Sequence, residues 1–167
     1  NHKKITCFSI FDERSACFYA LGLSKTANAP VIILTTSGTA TANLFPAIIE
    51  AKLNSIPLLV LTADRPSYLM GTGSSQTINQ NNLYGNYVND MIDIDFQKYE
   101  INSILKKLSK SMNDLYGDDK ISPGPVHINF RIDEPLFDDF KKISVNHITN
   151  NKPKNILSKT LRLPKFK

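Results

Sequence analysis

Three short polar segments carry the side chains best suited to chemistry: Phe11-Asp12-Glu13-Arg14, Thr35-Thr36-Ser37-Gly38-Thr39 and Thr62-Ala63-Asp64-Arg65-Pro66. In the first, two acids open a helical pattern. The plain reading is that Asp12 caps the helix and Glu13 sits in its first turn, where the macrodipole favours negative charge. The chemical alternative is that Glu13 projects into an apolar site and offers its carboxyl to a ligand nitrogen. The second segment, continued to Asn43, reads as a strand, a tight hydroxyl-rich turn and a helix. Small residues at Ser37 and Gly38 let a flat ligand or another backbone approach closely, and a helix N-terminus supplies free amide donors. An ordinary serine cap would leave the same signature. In the third segment Asp64 suits a helix cap and Pro66 its first turn. Arg65 can clamp a carboxylate bidentately, which lysine cannot do, or can pair with a neighbouring acid. Gln76 lies in the polar run GTGSSQTINQNN, from Gly71 to Asn82, which follows this segment and can fold over it as a binding loop. It is a candidate amide donor.

Other chemistries lack their residues. The patterns GxxxxGK[ST], GxGxxG and GxSxG are absent, so neither a P-loop, a dinucleotide fingerprint nor a hydrolase nucleophile elbow is present. His2, His127 and His147 are scattered, and Cys7 and Cys17 lack the spacing of a metal clip or a disulfide framework. No metal site is expected in this chain, and both cysteines read as buried thiols of a reducing compartment.

The elements that must position these loops alternate along the chain. Apolar runs predict strands at Lys4–Phe11, Pro30–Thr36, Pro57–Ala63 and Val126–Ile132, with a short one at Met91–Phe96. Amphipathic stretches predict helices at Asp12–Thr26, whose buried face runs through Ala16, Tyr19, Ala20 and Leu23, at Gly38–Leu53 and at Tyr99–Tyr116. Apolar strands joined by helical crossovers imply an α/β, three-layer sandwich with a central parallel sheet. In such sheets ligands bind beyond the carboxyl ends of the strands, where all three polar segments fall.

With 167 residues, 41% of them hydrophobic and 21% charged, the chain has the balance of one globular domain, which excludes disordered, collagenous and coiled-coil classes. Its longest apolar stretches, Val31 to Leu34 and Ile56 to Leu61, fall far short of the roughly 20 residues of a membrane-spanning helix. The net charge of +5 is unevenly placed: Lys141 to Lys167 holds eight basic residues and no acid, leaving the rest of the chain at −3. That tail lacks interleaved aromatics, so it reads as a solvated linker and not as a nucleic-acid binder. Residue 1 is Asn and the sequence runs straight into a strand-like segment, which reads as a fragment.

The stretches FDERSACFYALGLSK, TTSGTATANLFPAIIEA, LLVLTADRP and GSSQTINQ, in this order and spacing, resemble the 2-succinyl-5-enolpyruvyl-6-hydroxy-3-cyclohexene-1-carboxylate synthase family. These are thiamine-diphosphate-dependent enzymes of menaquinone and phylloquinone biosynthesis. The resemblance runs from about Phe11 to Leu136, closing on VHINFRIDEPL. TSGTATAN followed by TADRP and the SSQ loop is its specific part. It implies a pyrimidine-binding domain over residues 1–140, without the family's first helix and its strand ending in a Pro-Gly-Ser-Arg turn, and a linker over 141–167 toward a missing central domain. It implies that Glu13 bonds N1′ of the cofactor's aminopyrimidine, favouring the imino tautomer that deprotonates the thiazolium carbon. Ser37, Gly38, Thr39 and Asn43 would pack beside the cofactor, and Arg65 and Gln76 would bind the isochorismate-derived portion.

The resemblance further implies decarboxylation of 2-oxoglutarate with addition of the resulting carbanion to isochorismate. Mg²⁺ ligands would lie in a missing pyrophosphate domain, and the active site would form between subunits of a homodimer or homotetramer in cytoplasm or plastid stroma. The piece alone would be inactive and, with an exposed sheet edge, poorly soluble. The competing readings are another thiamine-diphosphate lyase or synthase, which Arg65 in TADRP disfavours, and a non-catalytic remnant of the fold, which the intact Glu13 and Arg65 disfavour.

Overall fold

The protein's structure is a computed structural model that describes residues 5–95 and 98–134. The basic stretch 141–167, Phe96 and the last two residues of VHINFRIDEPL lie outside the described residues. Helix α1 spans Glu13–Ala27 and starts where it does because the Asp12 carboxylate accepts the Ser15 amide at 2.7 Å. Asn28, at φ 50°, ends it in the left-handed conformation that asparagine tolerates. Its most buried positions are Cys17, Ala20 and Ser24, so Ala16, Tyr19 and Leu23 flank the contact instead of centring it. Strand β1 is Val31–Thr35.

The predicted helix Gly38–Leu53 is two: α2, Thr39–Asn43, and α3, Phe45–Leu53, meeting at Leu44. Pro46 explains the break, because its ring lacks an N–H and crowds the carbonyl four residues earlier. Beyond follow β2, Leu58–Asp64, a 3-10 turn at Ser67–Leu69 and another at Gly85–Tyr87. Then come β3, Asp90–Asp95, α4, Ile101–Tyr116, and β4, Val126–Arg131.

The four strands form one parallel sheet in the order β1-β2-β4-β3. Stepping from β1 to β2 and from β3 to β4 crosses the sheet in opposite directions. Right-handed crossovers therefore put α3 on one face and α4 on the other. Helices α1 and α3 cover Ile33, Leu58 and Val60, with Tyr84 from the loop completing that core. Helix α4 covers Ile92, Ile94, Val126 and Ile128. Leu44, Ile48 and Leu58 are fully buried, each contributing about 1.5–3 kcal/mol. The architecture is the three-layer α/β sandwich that the sequence implies.

One expected strand is not there. Residues 5–11 make no ladder, and Ile5, Phe8 and Phe11 stand exposed. A strand exists only where its N–H and C=O groups find a neighbour, and among the described residues β1 pairs with β2 alone, leaving its outer edge open. On the face of β1 opposite α1 and α3, Ile32 and Leu34 are 55% and 70% exposed. The two thiols differ for the same reason: Cys17 is buried in α1 and pushed up to about 12 by desolvation, whereas Cys7, expected to be buried, is exposed on the unpaired segment.

Candidate functional site

The hydroxyl of Ser24, near the end of α1, donates to the carbonyls of Ala29 (2.9 Å) and Pro57 (2.8 Å), at the amino ends of β1 and β2. Helix α1 thus runs against the strands, and its first turn lies toward their carboxyl ends, where the two other polar segments emerge. There Glu13 is half-buried, and its carboxylate forms no hydrogen bond or ion pair among the described residues. Asp12 caps the helix alone, so the cap does not consume Glu13.

The turn after β1 depends on a backbone that few residues can adopt. Gly38 sits at φ 80°, ψ −141°, and a Cβ there would lie 3.0 Å from Cγ and 3.1 Å from the carbonyl oxygen of Gln76. Its amide donates to Oε1 of Gln80 at 2.8 Å. Ser37 is buried and Thr39 exposed. Asn43, exposed at the far end of α2, is not brought into the turn. Because α2 has five residues, the dipole expected from a long helix at this turn is largely missing.

Gln76 does fold over the turn, at φ 58°, but both its N–H groups are taken, by Oγ1 of Thr36 (2.9 Å) and the carbonyl of Ser37 (3.1 Å). Its Oε1 accepts no hydrogen bond among the described residues. Arg65 is half-buried, and its guanidinium forms no ion pair among the described residues. The neighbouring acid that could have neutralised it is occupied elsewhere. Asp64 is buried, accepts from the Arg65 amide (2.8 Å) and Nδ2 of Asn129 (2.8 Å), and forms an ion pair with Nη1 of Arg131 at 3.5 Å. Arg131 also binds Asp93 through Nε at 2.9 Å and holds the Arg65 carbonyl at 3.4 Å.

Beneath the turns lies a buried polar network that the sequence reading did not single out. Asn129, 0% exposed, donates to Asp64 (2.8 Å) and Asp93 (2.9 Å) and accepts from Thr62 (2.7 Å) and Gln80 (2.8 Å), which exhausts its capacity. The two carboxylates fix which way its amide points. Since the Thr62 hydroxyl gives its only proton to Asn129, it must accept from Nε2 of His127 at 2.8 Å. His127 is thereby the Nε2–H tautomer, and its buried Nδ1 has no hydrogen-bond partner among the described residues. Tyr84 lies edge-on to this ring at 4.8 Å and donates its hydroxyl to the Thr41 carbonyl at 2.8 Å.

Burial lowers the His127 pKa to about 4, partly countered by Asp93. The unfolded state, titrating near 6.5, then binds more protons than the native state between those values. Stability is full above about pH 6.5 and falls by about 3 kcal/mol as the pH drops to 4. Urea titrations across that range would show the slope, and His127→Gln should flatten it; a wild-type slope surviving in the variant would assign it to other groups.

The signal for this network is a period of two. Thr62 and Asp64 in β2, His127, Asn129 and Arg131 in β4, and Asp93 and Asp95 in β3 alternate with apolar residues and share one face by register. A cleft of about 550 Å³ also opens beside Arg131, lined by Met70, Gly71, Thr77, Ile78, Asn79 and Asn81, and includes none of the sequence-predicted site residues. Among the described residues no group of three His, Cys, Asp or Glu side chains could hold a metal, and no helix is long and apolar enough to cross a membrane.

Comparison with known proteins meets this geometry. Residues 1–83, which include Glu13, the Gly38 turn, Arg65, Gln76 and Gln80, match the family model described as thiamine pyrophosphate enzyme, N-terminal TPP binding domain. A 2-succinyl-5-enolpyruvyl-6-hydroxy-3-cyclohexene-1-carboxylate synthase of Trichodesmium erythraeum is 48% identical over 138 residues, 81% of this chain and 23% of that protein. The synthase of Halobacterium salinarum is 44% identical over 138 residues (81% and 23%), and that of Staphylococcus epidermidis 42% over 147 (86% and 26%). The chain spans about a quarter of the length of these curated relatives. With nearly half its length on the family model and most of it aligned to one kind of synthase, the chain belongs to the thiamine pyrophosphate enzymes, as an N-terminal TPP binding domain of the 2-succinyl-5-enolpyruvyl-6-hydroxy-3-cyclohexene-1-carboxylate synthase type.

Proposed function

We propose that this chain is the pyrimidine-binding part of a synthase that decarboxylates 2-oxoglutarate and adds the resulting four-carbon unit to isochorismate, in menaquinone or phylloquinone biosynthesis. The observation that carries the reading is Glu13: a half-buried carboxylate, without a partner among the described residues, in the first turn of α1 on the rim where a parallel sheet binds ligands. Such a group fits an aminopyrimidine. Its oxygen shares a proton with a ring nitrogen, and half-burial strengthens that bond relative to water. When bound, thiamine diphosphate supplies the carbon nucleophile that attacks the 2-oxo acid.

The other residues orient and bind. The buried Ser37-Gly38 turn, with Thr39, offers a close-approach wall for a flat ring, and Asn43, at the far end of α2, stands outside it. Arg65, with no ion pair among the described residues, offers a bidentate fork to a substrate carboxylate. Gln76 would contribute its Oε1, or a donor once it lets go of Thr36. Mg²⁺ would be held by residues outside this chain, and a second subunit would complete the site in a homodimer or homotetramer.

Arg65→Lys separates the substrates. In the full-length protein carrying this chain, the KM for isochorismate should rise by roughly 10–100-fold while decarboxylation of 2-oxoglutarate is kept, because lysine retains the charge and loses the fork. An unchanged isochorismate KM would return Arg65 to a structural role.

A further inference from the structure

The polar run holds two glutamines four residues apart, and they face opposite ways. Gln76 lies on the outside of the Ser37-Gly38 turn, and Gln80 lies beneath it with no exposed surface. The Gln80 carboxamide spans three elements. Oε1 accepts the Gly38 amide at 2.8 Å, and Nε2 donates to the Ala63 carbonyl at 3.0 Å and to Oδ1 of Asn129 at 2.8 Å. Each partner permits one polarity only. A backbone amide can only donate, a backbone carbonyl can only accept, and Asn129 cannot turn over because Asp64 and Asp93 hold its Nδ2.

We infer that Gln80 is a positioning residue: it clasps the Ser37-Gly38-Thr39 turn to the end of β2 that carries Arg65, so the cofactor side and the substrate side of the site keep one geometry. The inference rests on the function proposed above. Ala63 is two residues from Arg65, whose own carbonyl Arg131 holds at 3.4 Å, so the clasp ends on a strand terminus already pinned. On the turn's side the ties from outside it are the exposed Gln76 and residues of the adjoining β1 and α2, such as the Thr41 hydroxyl on the Thr36 carbonyl at 3.2 Å and the Thr41 amide on the Gly38 carbonyl at 3.1 Å. Loss of a buried bond that no water can replace lets the turn and the strand end move independently.

Gln80→Met tests this in the full-length protein carrying the chain, since methionine keeps the length and approximate volume without donor or acceptor. In the wild type the Gly38 amide should exchange its hydrogen at least ~100-fold slower than an open peptide. In the variant that exchange should accelerate ~10-fold or more, thiamine diphosphate affinity measured by calorimetry should weaken roughly 10-fold, and the isochorismate KM should rise by a similar factor. An unprotected Gly38 in the wild type would overturn the clasp with no variant needed. Faster exchange with both affinities unchanged would make Gln80 purely structural, and a change at one end alone would refute the coupling. Should the methionine variant not fold, Gln80→Asn, one methylene too short to reach both ends, gives the same readings. Failure of the proposed function is separately visible, as wild-type kinetics in Glu13→Gln and Arg65→Lys with Gly38 still protected.

Discussion

Glu13→Gln should reduce carbon dioxide release from 2-oxoglutarate by ~10²–10⁴-fold in the full-length protein, the range that a positioned proton-transfer group contributes. The change is isosteric. It removes one negative charge from the first turn of α1, which costs the helix about 0.3–1 kcal/mol, and it breaks no bond, because the carboxylate has no partner among the described residues. Asp12 still caps through Ser15. Stability should therefore fall little while turnover collapses, a split that separates the two readings of the acidic pair. A capping acid would lose stability and keep turnover; a proton-sharing acid does the reverse. Denaturation midpoints and 2-oxoglutarate decarboxylation measured on the same preparation decide it, and turnover within a few-fold of wild type would remove the assignment.

That the start of α1 and its Asp12 cap could be read from residue types alone reflects how local their cause is. Asp12 followed three positions later by a backbone donor is a start signal confined to one turn, and strands β1, β2 and β4 are apolar runs bounded by polar turns. What escaped reading depends on partners distant in sequence. Residues 5–11 have strand composition, but pairing decides whether a strand exists. The break at Leu44 was signalled by Pro46, yet the helical pattern runs on through it, so periodicity alone joins α2 to α3. Gln76 and Gln80 sit in an irregular loop where no period tells inside from outside; partners distant in sequence, the Gly38 amide 42 positions away, the Ala63 carbonyl and Asn129, make Gln80 the inward one. The polar side chains of β4 were hidden by its apolar half, since a strand assumed buried on both faces gives no reason to ask what a histidine, an asparagine and an arginine do on one of them.

Asn129→Asp should have the largest effect on the fold. The replacement has the same shape, so no cavity forms and only polarity changes. Two carboxylates, the buried Asp64 and the partly buried Asp93, would lose N–H donors at 2.8 and 2.9 Å and meet an oxygen instead. Arg131 would remain as their cation, at 3.5 and 2.9 Å, insufficient for three acids. Breaking a buried charge network in this way costs about 3–5 kcal/mol, a large fraction of the 5–15 kcal/mol that holds a domain together. Urea denaturation at neutral pH should show most of the stability gone. A variant within about 1 kcal/mol of wild type would mean that the carboxylates do not depend on Asn129, and the polarity assigned to Gln80, Thr62 and His127 would lose its anchor.

The contrast between the two thiols has a practical consequence. With Cys17 enclosed and resisting ionisation and Cys7 in the open, an alkylating dye added to the native chain marks residue 7 alone. No engineered cysteine is needed. The label sits six positions ahead of Glu13, on a stretch held by no ladder, and so supplies an optical gauge of whatever settles against that end of the sheet.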